Sequence, residues 1–408
     1  MVASSSVVSG EEEDIEDNAP GDLDVGATPF AVVFHPRESS IGAFGLVSGE
    51  VLVYDVCRSS ERSPVARLAS AGGSCRVVGW AGDSLMTGYE SGQVRLWSCE
   101  RSEVVFEPEG PSDASAVAGS ACSCVSMAEE DLNCFLVGDD EGGVSLFDLR
   151  RRNAVRRKKH HEDFVADLAA HSGLVLGAGA DGRLSVSDPR RNLAALGISD
   201  PQDDELLSLR VMKRGRKVVC GTQTGALVVW SWNHWGDSSD RCMGHPESVD
   251  AMLKVDDDLL CTGSSDGLLR VVRVLPGLRL LGVLGDHDGF PIERLAFNCD
   301  QSLVASLSHD SLVRFWDAQE LRHLQQATPS SLEETNNNAI MTTTHDQSNE
   351  DMEDEDMDDD DAWETSSGDS DDDDHQSSRP GPPTMQRPPP GGNNMSSRRN
   401  NTTFFDGL

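Results

Sequence analysis

Residue types that take part in catalysis are common in this chain, but their spacing rarely matches a catalytic motif. The stretch GAGADG (177–182) fits the pattern GxGxxG, which can cradle a phosphate. Such a phosphate site needs a helix directly after the glycines, whereas a hairpin of two strands is expected here. No GxxxxGK(S/T) or HExxH motif is present. We therefore expect no enzyme activity, no catalytic residue and no cofactor.

The histidines and cysteines also favour structural roles. Histidines are plentiful, and a buried hydrogen bond that stabilises the fold is the favoured role for them. Ten cysteines are scattered through apolar runs without CxxC spacing, and the closest pair is Cys122 and Cys124. This pattern predicts reduced, buried thiols in an intracellular protein, and neither disulfides nor a metal site.

The charge of the chain is concentrated at its ends. Of the formal charge of −36, residues 1–22 contribute seven acidic residues and no lysine or arginine. Residues 325–408 contain twenty acidic and four basic residues. Such a chain has no general cationic field for nucleic acid. The acidic N-terminus does not resemble a secretory signal, and no apolar run is long enough to cross a membrane, so a soluble cytosolic or nuclear protein without membrane contacts is expected.

A basic cluster, RRRNAVRRKK (150–159), contrasts with this acidic composition. Its cationic members are Arg150, Arg151, Arg152, Arg156, Arg157, Lys158 and Lys159. The cluster fits a solvated outer strand or loop, a nuclear localisation signal, a contact to RNA phosphates, or a docking site for an acidic partner. It could also pair with the chain's own acidic tail. The residues alone leave these alternatives open.

A repeated strand pattern must position all of these side chains. Seven segments consist of a turn residue and then an alternating strand, and the clearest lies within SHDSLVRFWD (308–317). Their turn residues are Gly49, Gly92, Gly142, Gly182, Gly225, Gly267 and Ser311, separated by 43, 50, 40, 43, 42 and 44 residues. An additional glycine, Gly143, predicts a bulge or a longer turn in the third segment. A period near 43 with several short strands per unit predicts an all-β, seven-bladed propeller.

These repeats resemble those of the WD-repeat propellers over residues 23–324. The resemblance implies that His287, Ser306, Asp310 and Trp316 form the structural tetrad of that family in the last repeat. Repeat six matches through His245, Thr262 and Asp266, with Val272 in place of tryptophan. Repeat four matches through His161 and Asp181, with Ser187 in place of tryptophan.

The resemblance also implies that an N-terminal strand completes the last blade, and Leu23 to Val25 are the candidates. The predicted domains are therefore a disordered acidic segment (1–22), the propeller (23–324) and a disordered tail (325–408). The tail is acidic at first and then rich in proline and glycine.

Two segments, 135–150 and 175–190, are similar to a box through which some WD-repeat proteins dock onto the damaged-DNA-binding adaptor of cullin ubiquitin ligases. The match implies adaptor contacts by Asp148 with Arg150 and by Asp188 with Arg190. Most of the box repeats the propeller pattern, so only the two arginines distinguish a docking box from an ordinary repeat.

The acidic tail is predicted to act as a solubilising brush or as a mimic of nucleic-acid charge for basic partners. Ser366 and Ser370 each precede an acidic residue by three positions and are candidates for phosphorylation by an acidophilic kinase. Phe404, Phe405 and Leu408 form a candidate hook for a partner at the C-terminus.

Among the WD-repeat proteins, LDVGATPFAVVFHP (23–36), GLVSGEVLVYDV (45–56) and the FF-x-x-L ending resemble one nucleolar family. That resemblance implies a monomeric scaffold within larger complexes, acting in ribosomal RNA processing and large-subunit assembly. Its expected partners are pre-ribosomal or other basic proteins, with RNA reached indirectly. The expected location is the nucleus and nucleolus, with the cytoplasm as a further location. The alternative implied function is that of a cullin-ligase substrate receptor.

Overall fold

The structure is a computed structural model. It describes residues 19–58, 63–70, 72–107, 120–127, 134–150, 154–274, 277, 279–319 and 321. The candidate phosphorylation sites Ser366 and Ser370 and the candidate hook of Phe404, Phe405 and Leu408 lie outside these residues, as do Arg151 and Arg152 of the basic cluster.

The described chain forms seven antiparallel sheets of four strands each. In chain order the strands are β1 (Leu23–Asp24), β2 (Pro29–Phe34), β3 (Ile41–Leu46), β4 (Val51–Asp55), β5 (Ala66–Leu68), β6 (Cys75–Ala81), β7 (Ser84–Tyr89), β8 (Val94–Ser98), β9 (Glu103–Phe106), β10 (Cys122–Met127), β11 (Cys134–Asp139), β12 (Gly143–Asp148), β13 (Ala154–Lys159), β14 (Val165–His171), β15 (Leu174–Gly179), β16 (Leu184–Asp188), β17 (Ala194–Ile198), β18 (Leu206–Met212), β19 (Lys217–Thr222), β20 (Ala226–Ser231), β21 (Asp240–Met243), β22 (Val249–Lys254), β23 (Leu259–Ser264), β24 (Leu268–Arg273), β25 (Arg279–Asp286), β26 (Ile292–Phe297), β27 (Leu303–Ser308) and β28 (Leu312–Asp317). A 3-10 turn, Pro189–Arg191, follows β16.

Each sheet is one blade, and the blades close into a ring. Blade 1 is the meander β2-β3-β4-β5, and blades 2 to 6 repeat this order. The first strand of every blade contacts the first strand of the next, and β26 of blade 7 contacts β2 of blade 1. These seven first strands therefore surround a central channel. The predicted seven-bladed all-β propeller is confirmed.

The N-terminal strand completes blade 7, as predicted. Strand β1 pairs with β28, with Leu23 opposite Val313 and Asp24 opposite Leu312. The backbone N–H of Val25 donates to the carbonyl oxygen of Ser311 over 3.3 Å. Leu23 is only 2% exposed because it enters the hydrophobic cluster between blades 7 and 1. Strand closure thus joins the two ends of the ring by hydrogen bonds and by packing.

Apolar residues fill the seams between neighbouring blades. Seven hydrophobic clusters are present among the described residues, one at each seam of the ring. The alternation along each strand explains this arrangement, since successive side chains point to opposite sheet faces and both faces meet a neighbouring blade.

The meander separates the connections onto two faces of the ring. We call the upper face the one that carries the connections between blades and the turns between second and third strands. The lower face carries the turns between first and second strands and the connections between third and fourth strands. This assignment follows from the antiparallel order of every blade.

The prediction of a bulge or longer turn at Gly143 is wrong. Gly142 has a φ of +82°, like the glycines at the other turns of this type, and the register of β11 with β12 has no break. Gly143 is instead the first residue of β12. A Cβ there would lie 2.4 Å from Oδ2 of Asp139 and 2.7 Å from the guanidinium of Arg157. The glycine therefore makes room for a buried ion pair.

Candidate functional site

The four tetrad residues of blade 7 form one hydrogen-bond network. The indole N–H of Trp316 donates to Oγ of Ser306 over 2.8 Å. The Ser306 Oγ lies 2.7 Å from Nε2 of His287, whose Nδ1 lies 3.2 Å from Oδ2 of Asp310. Because the Asp310 carboxylate can only accept, the imidazole proton lies on Nδ1, and Nε2 of the neutral ring accepts from the serine hydroxyl. Burial lowers the pKa of His287, which agrees with a neutral ring.

Blade 4 builds the same contact with its hydroxyl on a different strand. His161 Nδ1 lies 2.9 Å from Oδ1 of Asp181, and its Nε2 lies 2.7 Å from Oγ of Ser185. Ser185 lies on the third strand of its blade, whereas Ser306 lies on the second strand of blade 7. The position on the second strand that corresponds to Ser306 is Gly177, which pairs with Ser185 across the sheet. The hydroxyl has therefore exchanged strands while its contact with histidine is kept.

Blade 6 keeps only half of the network. His245 Nε2 lies 2.9 Å from Oγ1 of Thr262, while its buried Nδ1 has no hydrogen-bond partner. Asp266 is held instead by the guanidinium of Arg270, with Nη1 at 2.9 Å from Oδ1. Burial, together with the nearby charge of Arg270, lowers the pKa of His245 to about 4. Arginine has thus replaced histidine as the partner of the turn carboxylate.

The two candidate adaptor boxes share one backbone contact. The backbone N–H of Arg150 donates to Oδ1 of Asp148 over 3.0 Å, and that of Arg190 donates to Oδ1 of Asp188 over 2.8 Å. Both arginines directly follow the third strand of their blades and therefore lie on the lower face, in neighbouring blades 3 and 4. The Arg150 side chain also folds onto Asp148, with Nε at 2.8 Å from Oδ1.

The described members of the basic cluster differ in their surroundings. Strand β13, the outer strand of blade 3, contains Arg156, Arg157, Lys158 and Lys159. The two lysines are exposed. The side chain of Arg157 is only 15% exposed, and its Nε lies 2.8 Å from Oδ2 of Asp139. Arg157 also pairs with Glu141 at 3.2 Å. It is therefore a structural residue of blade 3 as well as a member of the basic cluster.

The cysteines are all free thiols, but they are not all buried. Cys75, Cys122, Cys124, Cys220 and Cys261 are buried, whereas Cys57 and Cys299 are exposed. Burial raises the pKa of Cys122 and Cys261 to about 12. Within the described ranges, no group of three His, Cys, Asp or Glu side chains could hold a metal ion. No helix among those residues is long and apolar enough to span a membrane.

The two faces of the ring differ strongly in charge. The described connections of the upper face contain sixteen Asp and Glu residues and one arginine, Arg183. Those of the lower face contain eight acidic residues and nine lysines and arginines. This difference in charge is not visible in the sequence, because upper-face and lower-face connections alternate along the chain. Only the assignment of each connection to a face separates them.

A cavity of about 490 Å³ opens at the mouth of the channel. Its lining includes two half-buried aromatic rings, Phe30 and Phe164. Two half-buried acids of the first strands, Asp250 and Glu293, also line it. These four residues lie at or just before the beginning of a first strand, which places the mouth on the upper face. Sequence reasoning missed this site because its members are far apart along the chain.

The acids of the mouth are held in place by neighbouring side chains. Oδ2 of Asp250 accepts hydrogen bonds from the hydroxyls of Ser248 (2.8 Å) and Ser265 (2.7 Å). Glu293 lies 3.1 Å from Nε2 of His309. These contacts orient both carboxylates.

Two arginines share the cavity with these acids. Arg76 forms a 3.0 Å ion pair with Asp140, and Arg294 donates to the carbonyl oxygen of Glu293 over 2.8 Å. Both arginines and Asp140 line the cavity. With Asp250 and Glu293 included, the lining contains three carboxylates and two guanidinium groups, so it adds to the acidic character of the upper face.

Seven four-stranded blades, an N-terminal strand that closes the ring and a His-Ser-Asp-Trp network together define a WD-repeat propeller. A protein of this class is a scaffold for protein interactions. A family model described as WDR55 matches residues 20–321. The chain therefore belongs to the WD repeat-containing protein 55 family.

Curated relatives support this assignment over most of their length. The chain is 33% identical to WD repeat-containing protein 55 of Rattus norvegicus over 329 residues, covering 77% of this chain and 82% of the rat protein. It is 32% identical to the Homo sapiens protein of the same name over 310 residues, covering 75% and 78%. WD repeat-containing protein JIP5 of Cryptococcus neoformans is 32% identical over 302 residues, covering 72% and 80%.

Proposed function

We propose that the protein is a non-enzymatic nucleolar scaffold that acts in ribosomal RNA processing and assembly of the large ribosomal subunit. The observation that carries this proposal is the acidic upper face, with sixteen acidic residues against one arginine in its described connections. A surface of this charge attracts basic proteins and repels nucleic acid. Proteins that bind ribosomal RNA are rich in lysine and arginine, so the scaffold would hold them and reach RNA through them.

Affinity purification of the full chain from cells tests this function. The scaffold proposal expects pre-ribosomal proteins and ribosomal RNA in the purified complex, and nucleolar staining of the tagged chain. Ribonuclease treatment before elution should leave the directly bound basic proteins in place. Recovery of cytoplasmic proteins alone, with no pre-ribosomal component, would reject the proposal.

A second candidate function is that of a substrate receptor of a cullin ubiquitin ligase. The observation in its favour is the shared backbone contact of Asp148 with Arg150 and of Asp188 with Arg190 on one face of neighbouring blades. An arginine there could offer its fork of donors to a polar pocket on the adaptor.

Matched lower-face variants test the receptor function. In an Arg150→Ala, Arg190→Ala double variant, adaptor binding should fall while the melting temperature stays unchanged. Arg58→Ala with Arg101→Ala is the control, because these exposed arginines occupy the same type of connection in blades 1 and 2. Equal binding of the adaptor to the two double variants would count against this function. So would a failure of the adaptor to bind the wild-type chain.

A further inference from the structure

The cavity at the mouth of the channel combines charge, aromatic rings and depth. Phe30 and Phe164 offer ring faces, and a cation near such a face gains about 0.5–2 kcal/mol according to its desolvation. Asp250 and Glu293 supply carboxylates that neighbouring hydroxyl and imidazole groups already orient. A lysine or arginine side chain has the two features this lining can bind, a long apolar stem and a charged end.

The rest of the upper face adds a long-range attraction to this local fit. Eight of the sixteen acidic residues in its connections pair with arginines of the strands. The other eight leave an excess of negative charge, which raises the local concentration of an oppositely charged ligand. A polyanion such as RNA would be repelled. A single small cation would gain little from a face of this size, whereas an extended basic chain could contact several acids at once.

We propose that the mouth of the channel on the upper face binds a lysine- or arginine-rich polypeptide segment of a partner protein. One cationic side chain of the segment enters the cavity and contacts Phe30, Phe164, Asp250 and Glu293. Arg76 and Arg294 also line this cavity, but Asp140 pairs with Arg76, and the three carboxylates outnumber the two guanidinium groups. The flanking basic residues pair with the acids of the surrounding connections. This inference rests on the proposed function only in taking the partner to be a basic protein.

Fluorescence anisotropy of the full chain with a labelled lysine-rich peptide tests the proposal. We expect an Asp250→Asn, Glu293→Gln variant to bind about tenfold more weakly, as expected for the loss of two partly exposed charge contacts. The control is Glu38→Gln with Glu100→Gln, which removes the same charge from exposed positions of the lower face. It should change the affinity by less than about twofold, because screening limits charge effects to about 10 Å.

Three outcomes of this experiment would overturn the proposal. Equal weakening by both double variants would show that total charge alone attracts the peptide. An unchanged affinity in the mouth variant would place the peptide elsewhere, for example on the acidic tail. Binding of an oligouridylate that is lost in the mouth variant would show that the ligand is RNA rather than a basic polypeptide.

Two further measurements keep the test independent of how well the variant folds. Acetylation of the peptide lysines removes their charge and should abolish binding to the wild-type chain. A photo-crosslinker on the lysine-rich ligand should label those proteolytic fragments of the protein that contain Phe30 or Phe164. Crosslinks confined to the lower face or the tail would overturn the proposal.

These experiments distinguish a failure of the proposed binding site from a failure of the proposed function. Binding of the basic peptide to the mouth, without pre-ribosomal proteins in the purified complex, would preserve the site and reject the function. Pre-ribosomal proteins in the complex, with no effect of the mouth variant on the peptide, would reject the site alone.

Discussion

Substitution of Ser306 by alanine should destabilise the ring more than the same change at Ser185. The Ser306 hydroxyl serves both Trp316 Nε1 and His287 Nε2, at 2.8 and 2.7 Å, and both Ser306 and His287 are fully buried. A buried polar group that loses its partner costs about 1–3 kcal/mol. Since Trp316 is only half-buried and water can reach it, we expect a loss of about 3 kcal/mol for Ser306→Ala. Ser185 contacts one buried side chain, His161, and its only other hydrogen bond within the described residues is a long one of 3.5 Å to the carbonyl oxygen of Gly177, which gives about 1.5 kcal/mol.

Thermal melting and urea unfolding of the full chain measure these losses. For a domain of this size a loss of 1 kcal/mol lowers the melting temperature by about 2 °C, so decreases of about 6 °C and 3 °C are expected. The exposed Ser91→Ala is the control and should shift it by less than about 1 °C. A Ser306→Ala shift no larger than that of the control would refute the network as a source of stability.

A strand exchange provides a stricter test of the same reasoning. Adding Gly177→Ser to Ser185→Ala returns the hydroxyl to the strand used in blade 7. A Cβ on Gly177 would lie 2.9 Å from Oγ of Ser185, an atom that the alanine removes, and 3.3 Å from Nε2 of His161. The double variant should therefore recover part of the lost stability, whereas Gly177→Ser alone should destabilise. Equal losses with and without Ser185 would contradict this account.

Three further predictions concern the rest of the ring. Leu23→Ala should lower the unfolding free energy of the whole ring by about 2–4 kcal/mol, because this side chain is only 2% exposed. The control, Leu280→Ala at a 42% exposed position, should cost under about 1 kcal/mol. Separate melting of blade 7 would contradict this prediction. Folding lowers the pKa of His245 from about 6.5 to about 4, so the unfolded state binds a proton at a higher pH than the folded state does. The free energy of unfolding, measured with urea, should therefore fall as the pH drops from 6.5 to 4, by up to about 1.4 kcal/mol per pH unit. His245→Asn should make this pH dependence smaller. Gly143→Ala should cost about 3 kcal/mol or more, measured by urea unfolding, because its Cβ would displace the buried carboxylate of Asp139 from its ion pair, and a neutral result would contradict this.

The architecture could be predicted because it depends on local, repeated signals. A turn residue with a positive φ recurs at one period, and each turn precedes an alternating strand, as at Gly182 and Gly225. The closing strand could be predicted from the resemblance to the WD-repeat propellers, which implies that an N-terminal strand completes the last blade, with Leu23 to Val25 as the candidates. Ser311 also adopts a positive φ, of 64°, so the pattern extends to a repeat without glycine.

The details of the networks could not be predicted because different residues meet the same physical need. A hydroxyl near His161 can come from either of two paired strands, and the sequence does not show that Ser185 replaces a residue at Gly177. Asp266 needs a cationic or donor partner, and Arg270 supplies one in place of His245.

Arg157 and the mouth of the channel illustrate a second limit. Arg157 belongs to a run of four cationic residues, yet the alternation of β13 turns it toward Asp139 while Lys158 is exposed. Phe30 and Glu293 come from the first and the last blade, and only closure of the ring brings them to one cavity. Sites of this kind depend on which face each connection occupies.

The most direct test of the account is affinity purification of the wild-type chain beside its Asp250→Asn, Glu293→Gln variant. We expect pre-ribosomal proteins and ribosomal RNA with the wild type, and a marked loss of basic proteins with the variant, at equal expression and equal melting temperature. Recovery of the cullin-ligase adaptor with both proteins, and of no pre-ribosomal component with either, would contradict it.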